Sequence, residues 1–270
     1  MPHDSLPLQG PLLLVDAGNT RLKAALVSGQ GQFDLIEVLD PDQLADWPNT
    51  WQELVACVLL PGAAQGAQRW RRWWREQAGQ RPLWEIGSDI LVPDVGQYAS
   101  CGIDRICAGF AALALSAIEG KAVVIDCGTA TTLTAWRRLA GQPQFLGGLI
   151  LPGAQCCVDG LATAAPALPQ GVPLLPPASL SFNAALGMDT VVGLQNALAI
   201  GYPAMVHCCL HSLQQASGSQ SVIATGGALW TIVEADGEDE HWQTVPDLTI
   251  RGMLQLTLKS GRWLVDEPAQ

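Results

Sequence analysis

Two stretches of the chain repeat one pattern of apolar and polar positions. Leu12-Leu13-Leu14-Val15 is an unbroken apolar run, as in a strand buried on both faces, and it stops at Asp16. Ala17-Gly18-Asn19-Thr20 supplies turn chemistry. From Arg21 to Val27 the apolar Leu22, Ala24 and Leu26 then alternate with Arg21, Lys23 and Ala25, which reads as a returning strand. Further on, Val123-Val124-Ile125 runs to Asp126, Cys127-Gly128-Thr129-Ala130 turns the chain, and Thr131 to Trp136 runs out again. A third apolar run, Ser221 to Thr225, leads into Gly226-Gly227-Ala228, where glycines let a flat ligand approach the backbone. Two strand–Asp-x-Gly–strand units about half a chain apart predict two similar lobes facing each other across a cleft.

Helical patterns lie between these runs. Ile106 to Ile118 is apolar on nearly every face and predicts a helix buried between layers. Ala67 to Gln77 places Trp70, Trp73 and Trp74 at i, i+3, i+4, with Arg69, Arg71, Arg72 and Arg75 elsewhere. That spacing gives an amphipathic helix with a tryptophan face on the core, although interleaved Trp and Arg would also suit stacking on nucleic-acid bases. Pro166 to Pro177 contains five prolines and reads as an irregular surface loop. The boundary between lobes fits best near Glu119-Gly120, giving segments 1–118 and 119–270.

Composition narrows the class. The 270 residues are ample for a sizeable core, and 49% are hydrophobic against only 14% charged, which excludes a disordered chain. With 25 acidic and 14 basic residues the formal net charge is -11, so neither nucleic acid nor an anionic membrane is an expected partner. An anionic ligand has to be held locally, by backbone N–H groups, a helix N-terminus or a bound cation. The N-terminal segment lacks a basic region, and the longest apolar stretch, Val191 to Leu210, is broken by Gln195, Asn196, Pro203 and His207. A cytoplasmic location is expected. The 8 cysteines show no CxxC spacing and only 4 histidines accompany them, so they read as small buried hydrophobes in a reducing compartment and not as a zinc site.

The two Asp-x-Gly turns carry the candidate chemistry. A carboxylate at the C-terminal end of a buried strand sits where open α/β sheets bind ligands, and a glycine two residues on lets the chain turn with its N–H groups aimed at that ligand. Asn19, Thr20, Thr129, Thr131 and Thr132 add short donors for phosphate oxygens, and Lys23 is a point charge in reach of one. Asp16 and Asp126 are suited to a hydrated Mg²⁺ that offsets a triphosphate. One such turn is commonplace in hairpins, whereas two in matching contexts point to nucleotide binding. A second signal is Gly102-Ile103-Asp104-Arg105, just before the buried helix. Asp104 there is either a helix cap or the base that accepts a substrate hydroxyl proton, with Arg105 pairing to an anionic group of the same substrate. The absence of a neighbouring Ser-His or Cys-His arrangement argues against acyl transfer.

The set DAGNTRLK (Asp16 to Lys23), GIDR (Gly102 to Arg105), DCGTATT (Asp126 to Thr132), GGLILPG (Gly147 to Gly153) and TGGAL (Thr225 to Leu229) resembles the type III pantothenate kinases, of the actin/hexokinase/Hsp70-like ATPase superfamily. Pro246 to Met253 also resembles the family's C-terminal pattern. The resemblance implies an α/β chain of two RNase-H-like lobes, mixed sheets flanked by helices, with ATP in the cleft between them. The implied activity is ATP-dependent phosphorylation of pantothenate on its primary hydroxyl, the entry to coenzyme A biosynthesis. By position, Asp16, Ala17, Gly18, Asn19, Thr20, Arg21, Leu22 and Lys23 would form the first phosphate turn, and Thr129 would contact ATP. Asp104 would be the general base, Gly102, Ile103, Asp104 and Arg105 would contact pantothenate, and Asp126 would ligate K⁺ or NH₄⁺. Thr190, within Gly187-Met188-Asp189-Thr190, would be a substrate contact within a subunit or across a homodimer.

Three departures stand out. The tyrosine usual before GIDR is replaced in register by Val95, leaving Tyr98 as the nearby candidate for that contact. Ile106 stands where an aromatic residue is usual, and the Pro166 to Pro177 loop is longer than the family's pattern. A non-catalytic nucleotide-binding regulatory protein and a sugar- or acetate-type kinase are the alternatives. An intact Asp104 and Lys23 count against the first, and the GIDR motif against the second.

Overall fold

The computed structural model describes residues 8–18, 22–39, 51–116, 120–176, 186–233 and 242–264. The elements of the first half are β1 (Leu12–Ala17), β2 (Leu22–Val27), β3 (Phe33–Leu39), β4 (Ala56–Leu60), α1 (Ala64–Gln77), β5 (Leu83–Glu85) and α2 (Ile103–Leu115). There follow β6 (Lys121–Cys127), β7 (Ala130–Leu139), β8 (Gln142–Pro152), α3 (Ala154–Ala164), α4 (Thr190–Ser217), β9 (Val222–Thr225), β10 (Trp242–Thr244) and α5 (Leu248–Lys259).

The strands form two five-stranded mixed sheets of one design. The first has the order β3-β2-β1-β4-β5 and the second β8-β7-β6-β9-β10. In each, three antiparallel strands come first, and the chain then crosses over to add two strands parallel to the central one. The duplication expected from the two Asp-x-Gly segments is therefore a duplicated sheet of RNase-H-like order and polarity, with Asp16 and Asp126 each in the next-to-last position of its central strand.

Contacts divide the chain into two compact units: residues 1–94, 98–111 and 247–270, and residues 95–97 and 112–246. In the first unit, alternation along β1 sorts the side chains between two faces. Leu13, Val15 and Ala17 join Leu22, Ala24, Cys57 and Leu59 in one cluster with Trp51, Trp70 and Trp74. Trp73 is partly buried against it, and the Trp70 and Trp73 rings stack at 5.0 Å. The tryptophans of α1 thus face the core, and none is presented for stacking on bases. Leu12, Leu14 and Asp16 belong to the opposite face, where α5 packs on β1.

The chain re-enters this unit at Asp247. Leu248, Ile250, Met253 and Leu256 of α5 are buried, and Gly252 brings α5 into backbone contact with α2. A Cβ at Gly252 would lie 1.9 Å from the Cys107 carbonyl oxygen. Beyond α5, Trp263 is fully buried, pairs with Leu8 in a bridge, and donates its indole N–H to the Gly10 carbonyl at 2.9 Å.

In the second unit, Val123, Ile125, Cys127, Leu133 and Ala135 pack against Tyr202, Val206 and Leu210 of α4. Asp189 caps α4 by accepting the Val192 N–H at 2.9 Å, and Gly218, at φ 64°, ends the helix in the left-handed conformation. Residues 165–176 contain no regular secondary structure, as their prolines predict, while Pro177 and Glu119 lie outside the described residues. Among the described residues no helix is long and apolar enough to cross a membrane.

Replacing Gly252 by Ala should lower stability by about 3 kcal/mol, because the methyl group meets backbone that has no side-chain freedom to yield. The check is the urea midpoint; a variant as stable as the parent would disprove the α2–α5 contact.

Candidate active site

In the first unit the Asp-x-Gly turn begins at Asp16. Antiparallel register sets Asp16 directly opposite Lys23, so both side chains lie on one face of the sheet. Ala17, Gly18 and Leu22 frame the turn, while Asn19, Thr20 and Arg21 lie outside the described residues. Ala17 and Leu22 are fully buried and act as packing. The turn rests on the start of α1: the Ala17 carbonyl accepts the Ala63 N–H at 2.6 Å, and a Cβ on Gly62 would sit 2.8 Å from the same oxygen.

Asp104 occupies the first turn of α2, one residue inside the helix, which argues against a simple cap. Its side chain is exposed, and Gly102 allows its carboxylate to fold close, since a Cβ there would lie 2.2 Å from Oδ1. Ile103 opens the helix against Gly87. Arg105 donates from Nη1 to the Tyr98 hydroxyl at 2.5 Å, with its guanidinium carbon 5.5 Å from the ring centre. Val95 is 6% exposed and its carbonyl accepts the Phe145 N–H, so the residue in the tyrosine's register is a packing residue, whereas Tyr98 is 46% exposed. One turn into α2, the thiol of Cys107 is raised well above its usual pKa by burial and then by the charges of Asp16 and Asp104.

The second unit repeats the device. Asp126 pairs in register with Thr132 on one side and Thr225 on the other. The Cys127 carbonyl accepts the Ala228 N–H at 2.9 Å, as the Ala17 carbonyl does from Ala63. Gly226, at φ 103°, approaches so closely that a Cβ would be 2.3 Å from the Cys127 oxygen. The Thr129 carbonyl accepts the Gly153 N–H and the Cys156 thiol, each at 3.0 Å, and a Cβ on Gly153 would lie 2.3 Å from the Gly128 oxygen. Of the backbone N–H groups of this turn, that of Gly128 is used within the hairpin, donating to the Ala130 carbonyl at 3.0 Å. The glycines that sterics demand are Gly62, Gly153 and Gly226, which seat neighbouring segments on the turns.

Thr190 is the first residue of α4 and is exposed. Gly187 folds against the start of that helix, a Cβ there lying 2.5 Å from the Gly193 nitrogen. The cysteines divide: Cys57, Cys107 and Cys127 are buried as expected, but Cys101, Cys156, Cys157 and Cys209 are part-exposed and Cys208 is exposed, all as free thiols. Packing around the helices leaves these positions at the surface.

Two sheets of this polarity, each with an Asp-x-Gly hairpin on its central strand, define the actin-like class of ATPase folds. Within that class, the chain belongs to the type III pantothenate kinase family, whose sequence model matches residues 12–212. A type III pantothenate kinase of Thermus thermophilus is 29% identical over 270 residues, covering 93% of this chain and 100% of the relative. That of Deinococcus radiodurans is 34% identical over 267 residues, covering 91% and 95%. Among solved structures, component A of the (R)-2-hydroxyglutaryl-CoA dehydratase of Acidaminococcus fermentans matches with a TM-score of 0.49 and 12% identity, over 94% of this chain and 98% of that one.

Burial, with a smaller push from Asp126 and a counteracting hydrogen bond to Thr131, drives the Cys127 thiol up to about 12. A raised pKa keeps the neutral thiol through the physiological range, with about one thiolate in ten thousand at pH 8. Iodoacetamide at pH 8 should alkylate Cys208 first and leave Cys127 unlabelled until the protein unfolds. Equal labelling of both, read by peptide mass spectrometry, would contradict the packed turn.

Proposed function

We propose that the chain transfers the γ-phosphoryl group of ATP to the primary hydroxyl of pantothenate, giving 4'-phosphopantothenate, the first step of coenzyme A biosynthesis. The observation that carries this reading is the Asp104–Arg105 pair at the start of α2, the carboxylate exposed and the guanidinium hydrogen-bonded to the Tyr98 hydroxyl. Asp104 is the general base. It orients the pantothenate hydroxyl and accepts its proton late, which suffices because phosphoryl transfer proceeds through a loose transition state. Arg105 meets the pantothenate carboxylate as a charge-assisted pair, and Tyr98 holds the guanidinium in place for it. Gly102 and Ile103 shape that site, and Thr190 adds a substrate contact.

In the first unit Lys23 is a point charge for an ATP phosphate, and in the second unit Thr129 is an ATP contact. The donors around Asp126, namely its carboxylate and the hydroxyls of Thr132 and Thr225 in register beside it, are all oxygen and suit a hard cation such as K⁺ or NH₄⁺. A cation there would offset phosphate charge. In the first unit the Asp16 carboxylate suits a Mg²⁺, which keeps several waters and needs few protein ligands. The protein works in the cytoplasm as a homodimer, a reading supported in the second unit by exposed Leu146, Leu149 and Ile150 on the edge strand β8 and by Ile200 on α4.

The test is ATP-dependent phosphorylation of pantothenate in K⁺ buffer, followed by product mass. Asp104→Asn should lower kcat by about a hundredfold or more while leaving the KM for ATP near its original value. Retained turnover removes Asp104 from the role of base, and turnover of sugars or acetate in place of pantothenate removes the substrate assignment. Exchanging K⁺ for Na⁺ should depress the rate severalfold; equal rates in both salts reject the cation site at Asp126.

A further inference from the structure

One buried phenol lies behind the second turn without any part in the chemistry above. Tyr202, in the middle of α4, is 3% exposed. Its hydroxyl lies 2.6 Å from Thr131 Oγ1 and donates to the Pro152 carbonyl at 3.3 Å. A phenol has a single proton, so donation to Pro152 makes Thr131 the donor in the shorter bond. Thr131 is itself fully buried. A phenylalanine would fill the same volume without the cost of burying a hydroxyl, so the hydroxyl's value lies in what it joins.

What it joins are the two sides of the turn. Thr131 pairs with Cys127 across the β6–β7 hairpin, and Pro152 is opposite Ala130 at the end of β8. Gly153, next after Pro152, donates to the Thr129 carbonyl and lies against Gly128 without room for a methyl group. The separation of Thr131 from Pro152 therefore fixes how Gly153 seats on Gly128 and Thr129. We infer that Tyr202 is a positioning residue for nucleotide phosphates: it sets the Gly128–Thr129 turn through Thr131 and through Pro152–Gly153, and touches no substrate. This rests on reading that turn as an ATP contact.

The experiment is calorimetric titration of ATP into the full chain, alongside steady-state kinetics. Tyr202→Phe should bind ATP about tenfold more weakly and raise the KM for ATP by a similar factor, with the KM for pantothenate within twofold of the parent. Thr131→Val breaks the Tyr202 bond from the other side and should also weaken ATP binding, and the double variant should lose less than the sum of the two single losses, because the shared bond cannot be lost twice. Thr131→Ser restores a hydroxyl and should bind ATP within twofold of the parent. ATP affinity unchanged in Tyr202→Phe, or additive losses in the double variant, overturns the inference. A loss shared equally by ATP and pantothenate, with a lowered melting temperature, also overturns it in favour of a structural role. A parent protein that binds ATP but phosphorylates nothing sinks the kinase reading alone, and the titrations still decide the inference. A parent that binds no ATP removes the ATP-turn reading, and the inference with it.

Discussion

The close approach of backbone to backbone at the tips of the two central strands is the constraint on which the rest depends. In each unit the middle residue of the Asp-x-Gly turn offers its carbonyl to an N–H from the segment that follows the neighbouring parallel strand: Ala17 to Ala63, and Cys127 to Ala228. That distance is reachable only because glycine precedes the donor, at Gly62 and Gly226, where any side chain would collide with the same carbonyl. The pairing satisfies a polar group at the end of a buried strand and fixes the direction in which Asp16 or Asp126 projects. A rigid anchor of this kind costs little, since strand and crossover are already in place from the sheet.

Much of this was legible in the residues. The apolar runs before Asp16 and Asp126 and the returning strands gave the central hairpins of both sheets, because a doubly buried strand leaves an unmistakable apolar block. The i, i+3, i+4 tryptophans of α1 gave its buried face. Gly62 was not legible. Pro61-Gly62 reads as ordinary loop punctuation, and only laying β4 beside β9 as equivalent strands of the repeat would have matched it to Gly226-Gly227. Tyr202 was hidden for a different reason. With Val206 and Leu210 it completes an i, i+4, i+8 apolar stripe, and nothing local distinguishes a phenol there from core filling. The return of α5 to the first unit carries no signature at all in local pattern, since an amphipathic helix does not record which sheet it covers.

The motif positions also sort by what they touch. Within Gly187 to Thr190, Gly187 and Asp189 are accounted for by the helix start, which leaves Met188 and Thr190 as the members with exposed side chains and no capping duty. Around Asp104, Val95 is buried with its carbonyl accepting the Phe145 N–H, and the Tyr98 phenol three positions later meets Arg105. A loop can move the residue that holds a guanidinium so long as the guanidinium itself stays at the same place on its helix.

The burial of Trp263 and the seating of α5 on β1 have a consequence for biosynthesis. Leu12 and Leu14 leave the ribosome before the second unit, but the helix that covers their side of the sheet is made only after it. The second unit, by contrast, is complete once Pro246 has emerged. The nascent protein must therefore carry an open apolar sheet face while a later-made unit closes first, which reverses the usual N-to-C order of folding and gives chaperones their longest opportunity at β1.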